Sequence, residues 1–179
     1  MLKDKPVITS DKIVFDNPWF KVKQTPGGFT YGERKGVNSI AFILASKEPS
    51  DPQPYGVVKE WKDPIDQFVT TAFGGSIDQP KFKEDLELLV HEEVLEESGF
   101  DISKEDIWYV GKVLCSTQMN QFVHLFVVRV DKTTQGKKTT TNPTELRAEI
   151  VWLTGKQLAK LEDWKAFTIY GKGIETGIL

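Results

Sequence analysis

Residues 91–100 read HEEVLEESGF and place Glu92, Glu93, Glu96 and Glu97 within six positions. Like charges four apart on a helix repel by about 0.2–0.5 kcal/mol per pair, so the clustering needs a cause. On a helical wheel with Leu86 at zero, Phe82, Leu89, Val90 and Val94 fall within about 80° of it. Glu93 falls at about −20° and Glu97 at about +20°, inside the apolar stripe. Glu96 flanks them on the side of Leu89, and Glu92 lies further round. A carboxylate aimed with a core face must be paired or must hold a cation. No lysine or arginine lies between Glu84 and Ser103, so the segment offers its acids no local partner. Two aligned carboxylates with a third beside them match an all-oxygen site for Mg²⁺ or Mn²⁺. The alternative is a solvated acidic helix end that emerges from the core.

The elements that must position these acids follow from the pattern. The spacing predicts a helix over 82–98, ended by Gly99. Before it, IVFDNPWFKVKQT (13–25) reads as two short strands split at Asn17-Pro18, and TPGGFTYGE as a hairpin. NSIAFILAS (38–46) is an apolar run of buried-strand type, and the proline-rich 47–54 is a loop. YGVVKEW (55–61) and QFVTTAF (67–73) read as strands. After the helix, 107–116 and 121–130 return to strand character, and 148–153 is a last strand. Thr154 can cap a short, weaker helix through Leu161. The polar stretch 131–145, with its Pro143 breaker, reads as a mobile loop. The expectation is one α+β domain over 1–179, a mixed sheet between helices, with 1–35 as an N-terminal strand extension.

The chain has 179 residues, 39% hydrophobic and 27% charged, enough to build one core. A net charge of −3 with no basic stripe argues against a nucleic-acid partner. The N-terminal segment lacks an apolar signal core, and no apolar run approaches the roughly 18 residues that a membrane span needs. The lone Cys115, in an apolar run, reads as a buried inert thiol in a reducing compartment. A cytoplasmic protein with no membrane partner is expected. His124, in FVHLFVV, and His91 read as structural.

AFGGSIDQPKFKEDLELLVHEEVLEESGF (72–100) resembles the Nudix box. That pattern is a glycine, five residues, a glutamate, seven residues, then REUxEExGU with U hydrophobic. Glu84 is followed by seven residues, and Glu93, Val94, Glu96, Glu97, Gly99 and Phe100 then fall in place. Eight residues instead of five separate Gly75 from Glu84, and Glu92 occupies the arginine position. The order NPWFKV, GVNSIAFIL, FVHLFVV and EIVWL is similar to that of ADP-ribose pyrophosphatase-like members, over most of 13–165.

The resemblance implies a Nudix fold and hydrolysis of a nucleoside diphosphate linked to another moiety, of ADP-ribose or nucleotide-sugar type. It implies Mg²⁺ or Mn²⁺ held by Glu93, Glu97 and the Gly74 carbonyl, with Glu96 as third ligand or proton acceptor. Glu145 is the first candidate for general base and Glu149 the second. Phe29, Tyr31 and Trp61 are candidates to stack a base, with packing as the alternative role. The N-terminal strands and NPWF resemble the segment through which such members dimerise, so a homodimer anchored by Trp19 and Phe20 is expected. The competing expectation is a Nudix-fold module that binds a nucleotide and hydrolyses little, because loss of transition-state organisation can leave ground-state affinity intact.

Overall fold

The computed structural model describes residues 11–34 and 38–179. The rest of the expected N-terminal extension, residues 1–10 and 35, lies outside them. Three antiparallel strands come first: β1 (Lys12–Asp16), β2 (Lys21–Gln24) and β3 (Thr30–Glu33). The turn between β1 and β2 is held by Asn17, whose Oδ1 accepts from the Trp19 and Phe20 N–H groups. This is the local bonding that makes Asn-Pro a turn signal.

The body of the sheet is built on β4 (Ser39–Ser46) and β9 (Met119–Val130), which run parallel from Ser39↔Val123 to Ser46↔Val130. Around them lie β5 (Tyr55–Lys62), β6 (Gln67–Thr71), β7 (Phe73–Ser76), β8 (Ile107–Ser116) and β10 (Glu149–Leu153). The strand order is β1-β2-β3-β9-β4-β5-β10, with β8 on β9, β7 on β4 and β6 on β5. The sheet is therefore mixed, as expected. One face carries α1 (Pro80–Glu84) and α2 (Leu86–Ser98) over Ile40, Phe42, Leu44, Phe73 and Phe126. The other carries α4 (Gly155–Leu158) and α5 (Trp164–Glu175) over Ala41, Ile43, Val57, Leu125 and Val127. Alternation along β4 divides its side chains between the two cores. Complete burial of both faces explains why β4 reads as an unbroken apolar run.

Four elements differ from the sequence expectation. The 82–98 helix is two helices, because Asp85 adopts an extended backbone (φ −139°, ψ 95°). Its carboxylate accepts from the Leu88 N–H at 3.1 Å and so starts α2 afresh, a cap worth about 1 kcal/mol. The 67–73 strand is also split: β6 pairs with β5, β7 pairs with β4, and Ala72 lies at the crossing. The polar 131–145 stretch holds a 3₁₀ turn (Lys132–Thr134) and α3 (Pro143–Arg147). Finally, α5 was not anticipated. Its inward residues Ala166, Ile169 and Gly173 keep helical spacing, but they are small or interleaved with glycine, which weakens the stripe.

Candidate active site

The acids of α2 lie where the sheet forks. Residues Ser39–Phe42 of β4 pair with β7, while Leu44 and Ala45 pair with β5. Leu89, Val90 and Val94 seat α2 against the sheet, each fully buried apolar side chain contributing about 1.5–3 kcal/mol. The same face directs Glu93 onto β7. A Cβ on Gly75 would lie 2.6 Å from the Glu93 carboxyl carbon, closer than real side chains approach. Gly75 is thus the space that the Glu93 carboxyl occupies. Gly74 is glycine for a different contact, since a Cβ there would meet the Ile40 carbonyl oxygen at 2.7 Å.

The Glu93 and Glu97 carboxyls lie beside each other, and burial with their mutual repulsion favours a shared proton in the absence of metal. Burial, then the neighbouring Glu96 and Glu145, raises Glu93 to about 7. Burial, then Glu93, Glu145 and Glu60, raises Glu97 to about 9. Burial and the neighbouring carboxylates thus outweigh the half-buried Lys138, whose charge bears on Glu97 and Glu145. Glu96 is exposed at the rim beside Glu93.

Glu145 is brought to the pair by α3. Its carboxylate accepts from Thr140 Oγ1 at 2.5 Å and from Asn142 Nδ2 at 2.7 Å. The strap that carries it is bonded to the end of α2. Gly136 N–H donates to the Gly99 carbonyl at 2.8 Å, Gln135 Nε2 to the Ser98 carbonyl at 3.1 Å, and Thr140 N–H to the Glu96 carbonyl at 3.4 Å. These bonds satisfy carbonyls that a helix end leaves open. Gly99 takes a left-handed φ of 77° there, and a Cβ would also strike the Gly136 carbonyl. Lys138, half-buried, donates to the Glu145 and Ala148 carbonyls at 3.1 and 2.5 Å and so ties α3 down.

A cavity of about 300 Å³ opens beside the pair, with Glu60, Glu97, Glu145, Gly74 and Gly75 in its wall. The wall also carries Arg34, Lys62 and Lys165. Glu60, Lys62, Arg34 and Lys165 are additions to the site that sequence reasoning missed. Only the alternation of Glu60 with the buried Val58 on β5 could have pointed to one of them.

The remaining sequence candidates are not brought here. Glu149 follows α3 on β10, where alternation turns it to the side opposite Ile150 and α2. Trp61 packs edge-on against Phe68, its partner across β5 and β6, and its indole N–H donates to Asp63. Phe29 and Tyr31 line a separate hollow with Met119, and the Tyr31 hydroxyl donates to Asp11. The expectation that Glu92 lacks a cationic partner is corrected: Lys81 of α1 reaches it at 2.8 Å across the Asp85 break. Cys115 is only partly buried, against the α5-side core.

The donors present are of the type that Mg²⁺ or Mn²⁺ takes. Glu93 and Glu97 are adjacent carboxyls with protons to give up, and Glu60, Glu96 and Glu145 bear on them. Among the described residues no three acidic, histidine or cysteine side chains already converge on one point. The residues fit a divalent ion once a third carboxylate turns toward the pair.

A solved structure described as the crystal structure of an ADP compounds hydrolase matches 97% of this chain and 94% of its own length, with a TM-score of 0.69 and 17% sequence identity. The two share a fold. It is α+β, a mixed sheet between helices, consistent with a Nudix fold. No protein-family model and no curated protein matches this sequence. Among the described residues no helix is long and apolar enough to cross a membrane.

Proposed function

We propose that the chain is a Mg²⁺- or Mn²⁺-dependent hydrolase of a nucleoside diphosphate linked to another moiety, with ADP-ribose and nucleotide sugars the first substrates to test. The observation that carries this reading is the Glu93–Glu97 pair, with Glu93 pressed against Gly75 at the sheet fork and Glu145 held beside it. A protein with a purely structural role has no need to keep two half-buried carboxyls together. When bound, the divalent ion neutralises these carboxylates and the phosphate charge of the substrate.

The protein's own parts have separable tasks. Glu93 and Glu97, with Glu96 or Glu60 completing the set, hold the ion. Glu145 accepts the proton of the attacking water. The bond formed joins water oxygen to phosphorus, the phosphoanhydride bond breaks, and the leaving phosphate departs with its bridging oxygen. The carboxylates on the ion are poor bases, whereas Glu145 lies off the ion and is positioned by two neutral donors.

A second reading keeps nucleotide binding without appreciable hydrolysis. Glu92 at the arginine position of the box, paired with Lys81, favours it. One experiment separates the two. The nucleotide and phosphomonoester products are measured by anion-exchange chromatography with Mg²⁺ and with Mn²⁺ over ADP-ribose, NADH, nucleotide sugars, dinucleoside polyphosphates and nucleoside triphosphates. The hydrolase reading expects metal-dependent turnover that Glu97→Gln removes. Tight nucleotide binding without turnover on any compound supports the binding module.

A further inference from the structure

The cavity beside the acid pair is lined by both signs of charge. Arg34, Lys62 and Lys165, from three distant parts of the chain, share its lining with Glu60, Glu97 and Glu145. The cations are not equally compensated. Lys62 pairs with Glu60 at 2.6 Å. Arg34 donates to the neutral Ser76 hydroxyl at 3.2 Å. Lys165 is half-buried, and among the described residues it has neither an ion pair nor a side-chain hydrogen bond. Partial burial of a cation without a partner is unfavourable, and an anionic ligand relieves it.

Lys165 is held in that position by the fold. Asp163 Oδ2 accepts from the Ala166 N–H at 3.0 Å, capping α5, and from the Ala72 N–H at 2.9 Å at the sheet fork. One carboxylate thus ties the start of a 12-residue helix to the cavity wall. Its negative charge is taken up by two backbone donors. Among the described residues no aromatic side chain lines the cavity, and about 300 Å³ is the low end of ligand-sized volumes. The cavity suits phosphate groups, with the nucleoside outside it.

We propose that Lys165 and Arg34 form an anion subsite for a further negatively charged group carried next to the scissile diphosphate. The site thereby takes nucleoside polyphosphates in addition to diphosphates that end in a sugar. This rests on the hydrolase reading, because it assigns the scissile diphosphate to the acid pair and its ion. The carboxylates and their ion then take the scissile diphosphate, and Lys165 selects what lies beyond the cleaved bond.

The test uses inorganic tripolyphosphate and pyrophosphate, titrated by calorimetry in excess Mn²⁺ into the wild type, Lys165→Met, Lys165→Arg and Arg34→Met. The wild type is expected to bind tripolyphosphate at least about tenfold tighter than pyrophosphate, as one added charge-assisted contact allows. Lys165→Met should bring that ratio to within about twofold, Arg34→Met should lower it, and Lys165→Arg should keep it. A wild-type ratio near one, or a ratio unchanged by Lys165→Met, overturns the subsite. Hydrolysis of a phosphoanhydride with an unchanged ratio removes the subsite alone. A lysine-dependent ratio with no hydrolysis of any phosphoanhydride removes the hydrolase reading and leaves the subsite standing.

Discussion

Replacing Glu97 with glutamine should make the metal-free protein less sensitive to rising pH. In the fold, burial and mutual repulsion raise Glu93 to about 7 and Glu97 to about 9, from 4.5 in the unfolded chain. The folded state therefore holds more protons than the unfolded state between pH 4.5 and 9. Folding stability from this source is full below the unfolded value and is lost as pH rises through the folded values. While one proton difference persists, the loss is about 1.4 kcal/mol per pH unit. From pH 7 to 9 that is about 3 kcal/mol, or about 6–12 °C in Tm for a chain of this length. Glutamine keeps a donor for the Glu93 carboxyl and removes the charge that would repel it. Thermal melts in chelator at pH 6, 7, 8 and 9 should show the wild type falling more steeply than Glu97→Gln. The background from other groups is common to both proteins. Saturating Mn²⁺ should raise the wild-type Tm most at pH 8–9, where the ion no longer competes with protons, and should leave Glu97→Gln nearly unmoved. Parallel pH profiles for the two proteins would refute the reasoning, because the pair would then carry no excess protons.

Three further outcomes are expected. Gly75→Ala puts a methyl group where the Glu93 carboxyl lies. It should weaken Mn²⁺ binding at least about tenfold by calorimetry and cost about 1–3 kcal/mol in denaturant midpoint, the range for overpacking. Glu145→Gln should lower metal-dependent turnover by about 10²–10⁴ with KM little changed, since the amide keeps the size but not the base. Normal turnover in Glu145→Gln returns the base role to the acids of α2. The β1 residues Ile13, Val14 and Phe15 are about half exposed and Trp19 is 81% exposed, so the chain alone does not bury them. Sedimentation at micromolar concentration should give a mass near twice 20.3 kDa, and Phe15→Glu/Trp19→Ser should halve it.

Local chemistry was legible before any coordinates. The i, i+4 spacing of Glu93 and Glu97 within an apolar stripe is a property of helix geometry, and it placed both acids under cover. Turn chemistry at Asn17-Pro18, the Gly99 stop and the Thr154 cap depends on bonds within three or four residues, which a sequence displays. Strands buried on both faces, such as β4, announce themselves by apolar continuity. What the sequence could not display were choices among distant partners. The Asp85 break is stabilised by Lys104, 19 residues on, at 2.8 Å, as well as by its own cap. The split at Ala72 requires Asp163 to take the N–H that no strand takes, across 91 residues. The cavity lining joins residues 34, 62 and 165 through the sheet and α5, and each alone is an ordinary polar side chain. The sequence ranked Glu145 before Glu149 only by its place in the loop ahead of the last strand. A four-residue difference, set on a helix and then on a strand, turns one into the cavity and the other away. Short-range bonding and periodicity are written in neighbouring residues, whereas the charge balance of a cavity is decided only when the tertiary fold brings its lining together.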